Sequence, residues 1–143
     1  MAPFYTYIVL SLALVACSQA TQATVTITDV WGRPSPRAAS NAAFYLSLEN
    51  NTSSAVSLTG ATIPVCTSAE LHETTIDDQN VMSMRHIASV TIPKGKSLQL
   101  EPGGYHIMCL GLQSELKPGD HIPITLAFGD SGELQVEAVI GEP

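Results

Sequence analysis

Leu71 to Leu112 reads LHETTIDDQNVMSMRHIASVTIPKGKSLQLEPGGYHIMCLGL, and its punctuation decides the fold. Asp77-Asp78-Gln79-Asn80, Pro93-Lys94-Gly95-Lys96 and Pro102-Gly103-Gly104 are turn formers, because Asp and Asn bond their own backbone, Pro presets φ and Gly accepts φ > 0. The pieces between them show no convincing helical period and are rich in β-formers. They predict a hairpin of Ala69–Ile76 with Val81–Ile87, then strands over Ser97–Glu101 and Tyr105–Leu112. Every methionine after the initiator, Met82, Met84 and Met108, falls in this stretch, together with His72, His86 and His106, three of the four histidines. Imidazoles and thioethers form a soft, neutral donor set. Such a set suits Cu(I) better than zinc, calcium or magnesium, since thioether sulfur is polarizable and hard ions prefer oxygen.

The same pattern continues on both sides of this stretch. Ala23–Asp29 is rich in β-branched residues, with apolar Val25 and Ile27 at alternate positions, and Trp31-Gly32-Arg33-Pro34-Ser35-Pro36-Arg37 interrupts it because its two prolines remove two backbone donors. Phe44, Leu46 and Leu48 alternate with Tyr45, Ser47 and Glu49, which predicts a half-buried strand ended by Asn50-Asn51-Thr52-Ser53-Ser54. Ala55–Leu58 reads as a short return strand. In His121–Phe128 the even-numbered residues are apolar, and Leu134, Val136, Ala138 and Ile140 repeat the pattern after Gly129-Asp130-Ser131-Gly132. About eight short strands without a helical period predict an all-β protein, an antiparallel Greek-key β-sandwich.

Composition narrows the function classes. About 120 residues after a leader make one domain with its own core. Charged residues are 13% of the chain and the formal net charge is -7, so the clustered Lys and Arg that hold phosphate are missing and nucleic acid is not an expected partner. Tyr7 to Ala16 is an apolar run of signal-peptide length, too short for a stable membrane span. Leu14-Val15-Ala16-Cys17 resembles a bacterial lipobox. This reading makes residues 1–16 a signal peptide, Cys17 the lipidated first residue, 17–23 a short tether and 24–143 the folded domain. No Lys or Arg lies between Met1 and Ile8, and cleavage after Ala20, with Ser18 and Ala20 as the small residues, is the alternative. Both readings export the chain.

On a strand His106 and Met108 leave the same face about 7 Å apart. Met82, Met84 and His86 share a face of the hairpin's second strand, and His72 lies on its first. Packing the hairpin against Tyr105–Leu112 can gather all of them. The stretch resembles the periplasmic copper chaperone family PCu(A)C, whose signature is His, ten residues, Met, twenty-one residues, His, one residue, Met. Met84 and His106 have twenty-one residues between them, and His106-Ile107-Met108 completes the pattern. Between His72 and Met84 there are eleven, one more than the signature, and counting to Met82 gives nine. The extra residue fits the Asp77–Asn80 turn, where insertions are tolerated; the downstream spacing favours Met84. Trp31-Gly32-Arg33, Ala43-Phe44-Tyr45-Leu46, Glu70-Leu71-His72-Glu73, Met82-Ser83-Met84-Arg85, Pro102-Gly103-Gly104-Tyr105-His106-Ile107-Met108 and Lys117-Pro118-Gly119-Asp120 are similar to further landmarks of that family.

The resemblance implies a cupredoxin-like or immunoglobulin-like sandwich in the periplasm that holds Cu(I) with His72, Met84, His106 and Met108. It would pass the ion to an acceptor such as the dinuclear copper site of cytochrome c oxidase, often beside a Sco-type thiol protein. Met82 and His86 are auxiliary candidates, and His121 reads as structural. Some members carry a His- and Met-rich tail; Val139 to Pro143 contain neither residue, so a tail-borne site is not expected.

Methionine suits an oxidising compartment, where paired thiols tend to close into disulfides while a thioether keeps its sulfur. Cys66 and Cys109 are a candidate disulfide, a pairing that compartment alone leaves open. Cys109 follows Met108 and should face the other side of its strand. A blue-copper carrier is disfavoured, since its ligand cysteine comes before the histidine and methionine. No G-x-S-x-G, C-x-x-C, H-E-x-x-H or glycine-rich phosphate loop is present, so no enzyme is expected. The competing reading is a lipid-anchored sandwich acting in adhesion or assembly, with methionines that are ordinary core filler.

Overall fold

The computed structural model describes residue 1 and residues 24–143. The rest of the expected leader, the lipidated Cys17 and the 17–23 tether lie outside the described residues. Among the described residues eleven strands follow one another: β1 (Val25–Gly32), β2 (Asn41–Asn50), β3 (Val56–Leu58), β4 (Gly60–Thr62), β5 (Cys66–Ile76), β6 (Met82–His86), β7 (Val90–Ile92), β8 (Ser97–Leu100), β9 (Tyr105–Leu112), β10 (His121–Ala127) and β11 (Glu133–Ile140). A 3₁₀ turn, Gly129–Ser131, joins the last two. β4 and β7 were not expected, because three residues are too few to display an alternation.

The large sheet has the order β4-β10-β11-β1-β2-β9-β5-β6, with β8 added to β2, while β3 and β7 form a separate pair. β2 makes the corner of the sandwich. Its first half, Asn41–Phe44, pairs with β9, and its second half, Leu46–Glu49, pairs with β8. Changing partners along one strand is how a sheet bends over its own inner face. One pairing departs from the antiparallel expectation: the end of β1 runs parallel to β11, Trp31 opposite Val139 and Gly32 opposite Ile140. It covers an edge of β1 that would otherwise leave backbone donors and acceptors free.

The expected inward alternation is present. Phe44, Leu46, Leu48, Ile124, Leu126 and Ile140 are all buried in one cluster with Leu71 and Ile107. The last two sit on the inner faces of β5 and β9, and burying each contributes about 1.5–3 kcal/mol. That packing fixes the two strands whose outer faces matter below. Gly32 has a steric reason, since a Cβ there would lie 2.7 Å from the Phe44 ring.

Two local features shape the outer face. Between Thr28 and Trp31 the β1–β2 register slips by one residue, with Asp29 at φ 52. The bulge turns Trp31 toward Tyr45, with ring centroids 4.5 Å apart, and a bulge of this kind re-aims every later side chain on its strand. Tyr45 is accordingly only 5% exposed, where simple alternation placed it outside. Cys66 and Cys109 form a disulfide, S–S 2.05 Å, that ties β5 to β9.

Candidate metal centre

The β5–β6 hairpin forms at the expected turn, and β5 lies between β6 and β9. His72 is directly opposite His86 on one side and His106 on the other. Directly opposed residues project from the same face. The ring centroids of His72 lie 6.0 Å from His86 and 5.8 Å from His106. On the same face Glu70 stands opposite Met108, Thr74 opposite Met84 and Ile76 opposite Met82.

A recess of about 290 Å³ opens on this face, lined by Met82, Met84, His106 and Met108 together with Arg33, Ala43, Tyr45, Thr74, Pro102 and Gly103. Four of the residues singled out from the sequence thus share one cavity. His72 is not among the lining residues; it packs beside His106, with its side chain 16% exposed. His86 is exposed at the outer end of the row. Met82 and Met84 are 57% and 54% exposed, which sets them apart from core methionines. His121 lies on β10 against Glu137, away from this group.

Hydrogen bonds decide what the two inner imidazoles present. His106 is 3% exposed, and its Nδ1 donates to the Gly104 carbonyl at 3.2 Å. The His72 Nε2 lies 3.0 Å from a Glu70 carboxylate oxygen. The remaining nitrogens, His106 Nε2 and His72 Nδ1, are buried with no hydrogen-bond partner. Buried polar atoms are almost always paired, so two adjacent exceptions require an explanation. An ion accepting both lone pairs supplies one. Among the described residues no three His, Cys, Asp or Glu side chains form a cage for a metal, so an ion held here would need the methionine sulfurs.

Burial pushes the His106 pKa below the usual imidazole range; the Gly104 hydrogen bond opposes this and the neighbouring His72 adds to it. The ring is therefore neutral at pH 7, the form a metal requires. Burial raises the Tyr45 phenol above its ordinary value, opposed by Arg33 and assisted by Glu142. Arg33 sits over the Tyr45 ring at 6.0 Å, and Tyr45 in turn lies 6.4 Å from His106.

Glu70, Gly104, Tyr45 and Arg33 were not among the sequence candidates. Glu70 had a legible signal: two residues from His72 on a strand, it must share its face. Glu73, by the same rule, faces the other way and pairs with Arg85.

Fold and recess together define a small β-sandwich of the PCuAC type. The chain belongs to the LpqE-like family, described as "Putative lipoprotein LpqE-like", which it matches over residues 25–140. The PCu(A)C resemblance read from the sequence therefore holds. Among solved structures, the apo PCuAC domain from PmoF1 superimposes with a TM-score of 0.70 at 23% identity, covering 87% of this chain and 98% of that one. CuI-DR1885 from Deinococcus radiodurans gives 0.65 at 30% identity, covering 89% and 83%. The "Putative lipoprotein Lxx21020" of Leifsonia xyli subsp. xyli (strain CTCB07) is 35% identical over 89 residues, 62% of this chain and 54% of the relative. The chain thus spans about half the length of that relative.

Proposed function

We propose that this protein binds Cu(I) at the recess through His72, His106, Met84 and Met108 and transfers it to a copper acceptor outside the cytoplasm. The observation carrying this reading is the pair of partnerless buried nitrogens, His106 Nε2 and His72 Nδ1, beside the methionine-lined recess. The Cu(I) form of DR1885, a relative of the same fold, supports it. Met84 is preferred to Met82 because it is two register positions from the His72–His86 row and Met82 is four.

The chemistry follows from the donors. Thioether and neutral imidazole select a soft monovalent ion without supplying charge. Thiolates bind Cu(I) more tightly, so an acceptor offering them draws the ion away by ligand exchange. Exposed Met84 is the ligand such an acceptor reaches first. The dinuclear copper site of cytochrome c oxidase, alone or with a Sco-type thiol protein, is the acceptor that fits. Export, with attachment to the membrane through a lipidated Cys17, accords with the lipoprotein description of the family. The test is anaerobic titration with Cu(I) against a chromophoric chelator. One equivalent retained by the wild type and lost on Met84→Leu with Met108→Leu, the fold intact, supports the reading; equal retention by both refutes it.

A further inference from the structure

The two inner imidazoles do not offer the same nitrogen. The Gly104 carbonyl can only accept, so His106 carries its proton on Nδ1 and presents Nε2. An ionised carboxylate also only accepts. With the Glu70 oxygen 3.0 Å from Nε2 of His72, the proton of that ring belongs on Nε2. The opposite tautomer would set a nitrogen lone pair against the carboxylate and bury an N–H at Nδ1 where no acceptor exists. We propose that Glu70 is a positioning residue that locks His72 in the Nε2–H tautomer, so that His72 binds the metal through Nδ1 while His106 binds through Nε2. This deepens the copper reading given above and rests on it for the identity of the ion.

The register explains why Glu70 can do this. It lies two residues before His72 on β5, on the same face, and directly opposite Met108. Both residues sit on the one strand β5, so the carboxylate and the ring are in reach of each other before any ion arrives. A carboxylate that orients a ligand histidine typically changes metal affinity by about 10–100-fold when removed.

The experiment is ¹⁵N NMR of the histidine rings at pH 8, apo and with Cu(I), in the wild type and Glu70→Gln. In the apo wild type, His72 is expected to show an unprotonated Nδ1 and His106 an unprotonated Nε2. Cu(I) should shift those two nitrogens and leave their partners protonated. Glu70→Gln, whose amide can donate as well as accept, should mix the His72 tautomers, leave His106 unchanged and weaken Cu(I) binding about tenfold or more. An apo His72 protonated at Nδ1 overturns the inference whether or not copper binds, as does a Glu70→Gln protein with an unaltered His72 spectrum. The expected apo tautomers without Cu(I) uptake would support the role of Glu70 and refute the copper reading instead.

Discussion

His106 shows how one residue reconciles packing with chemistry. It is 3% exposed, yet only one of its nitrogens is bonded within the protein. Its lowered pKa makes the apo fold sensitive to acid. The unfolded ring takes a proton near pH 6.5, whereas the folded ring does so only at lower pH. Between those two values the unfolded state binds more protons, so stability is present above about 6.5 and falls as pH drops through that window. The melting temperature of the apo protein should decline over this range, with a shallower decline in His106→Gln; parallel curves for the two would contradict it. The methionines separate by the same reasoning. Met84→Leu should weaken Cu(I) by at least about tenfold, ~1.4 kcal/mol, and Met82→Leu by less than about threefold, in a competitive titration. Because both side chains are more than half exposed, neither change should move folding stability by more than about 0.5 kcal/mol.

At the scale of elements, the β5–β6 hairpin and β9 carry the candidate site, and all three strands were legible. Turn residues at Asp77–Asn80 fixed the loop, and β9 occupies Tyr105–Leu112 as its alternation required. The sequence could not reveal that β5 lies between β6 and β9, since nothing local encodes which strands become neighbours. That arrangement converts separated histidines into a row. Nor was Tyr45 legible as buried, because its cover, Trp31, arrives through a bulge at Asp29. The Cys66–Cys109 bond closes a separation of 43 residues across β5 and β9. Replacing both cysteines by Ser should cost about 2–5 kcal/mol by denaturant unfolding. It should also weaken copper retention more than Met82→Leu does, since it loosens the strands bearing His72 and His106. Unchanged stability would show that the bond does not constrain the fold.

For the whole molecule, the inner face supplies rigidity and the outer face chemistry. A continuous core holds β2, β5 and β9, and on their outer side rings follow from Trp31 through Tyr45, His106 and His72 to His86. The recess meets that row at Tyr45 and His106 and opens to solvent at the exposed Met82 and Met84 of the hairpin. A donor site at the surface of a stiff sandwich lets a soft ion enter and leave without unfolding. X-ray absorption at the copper edge of the anaerobically loaded protein reads out whether one ion is bound by imidazole nitrogen and thioether sulfur together. The expected first shell contains both nitrogen and sulfur neighbours, with no copper–copper distance. A shell of nitrogen and oxygen alone would contradict it.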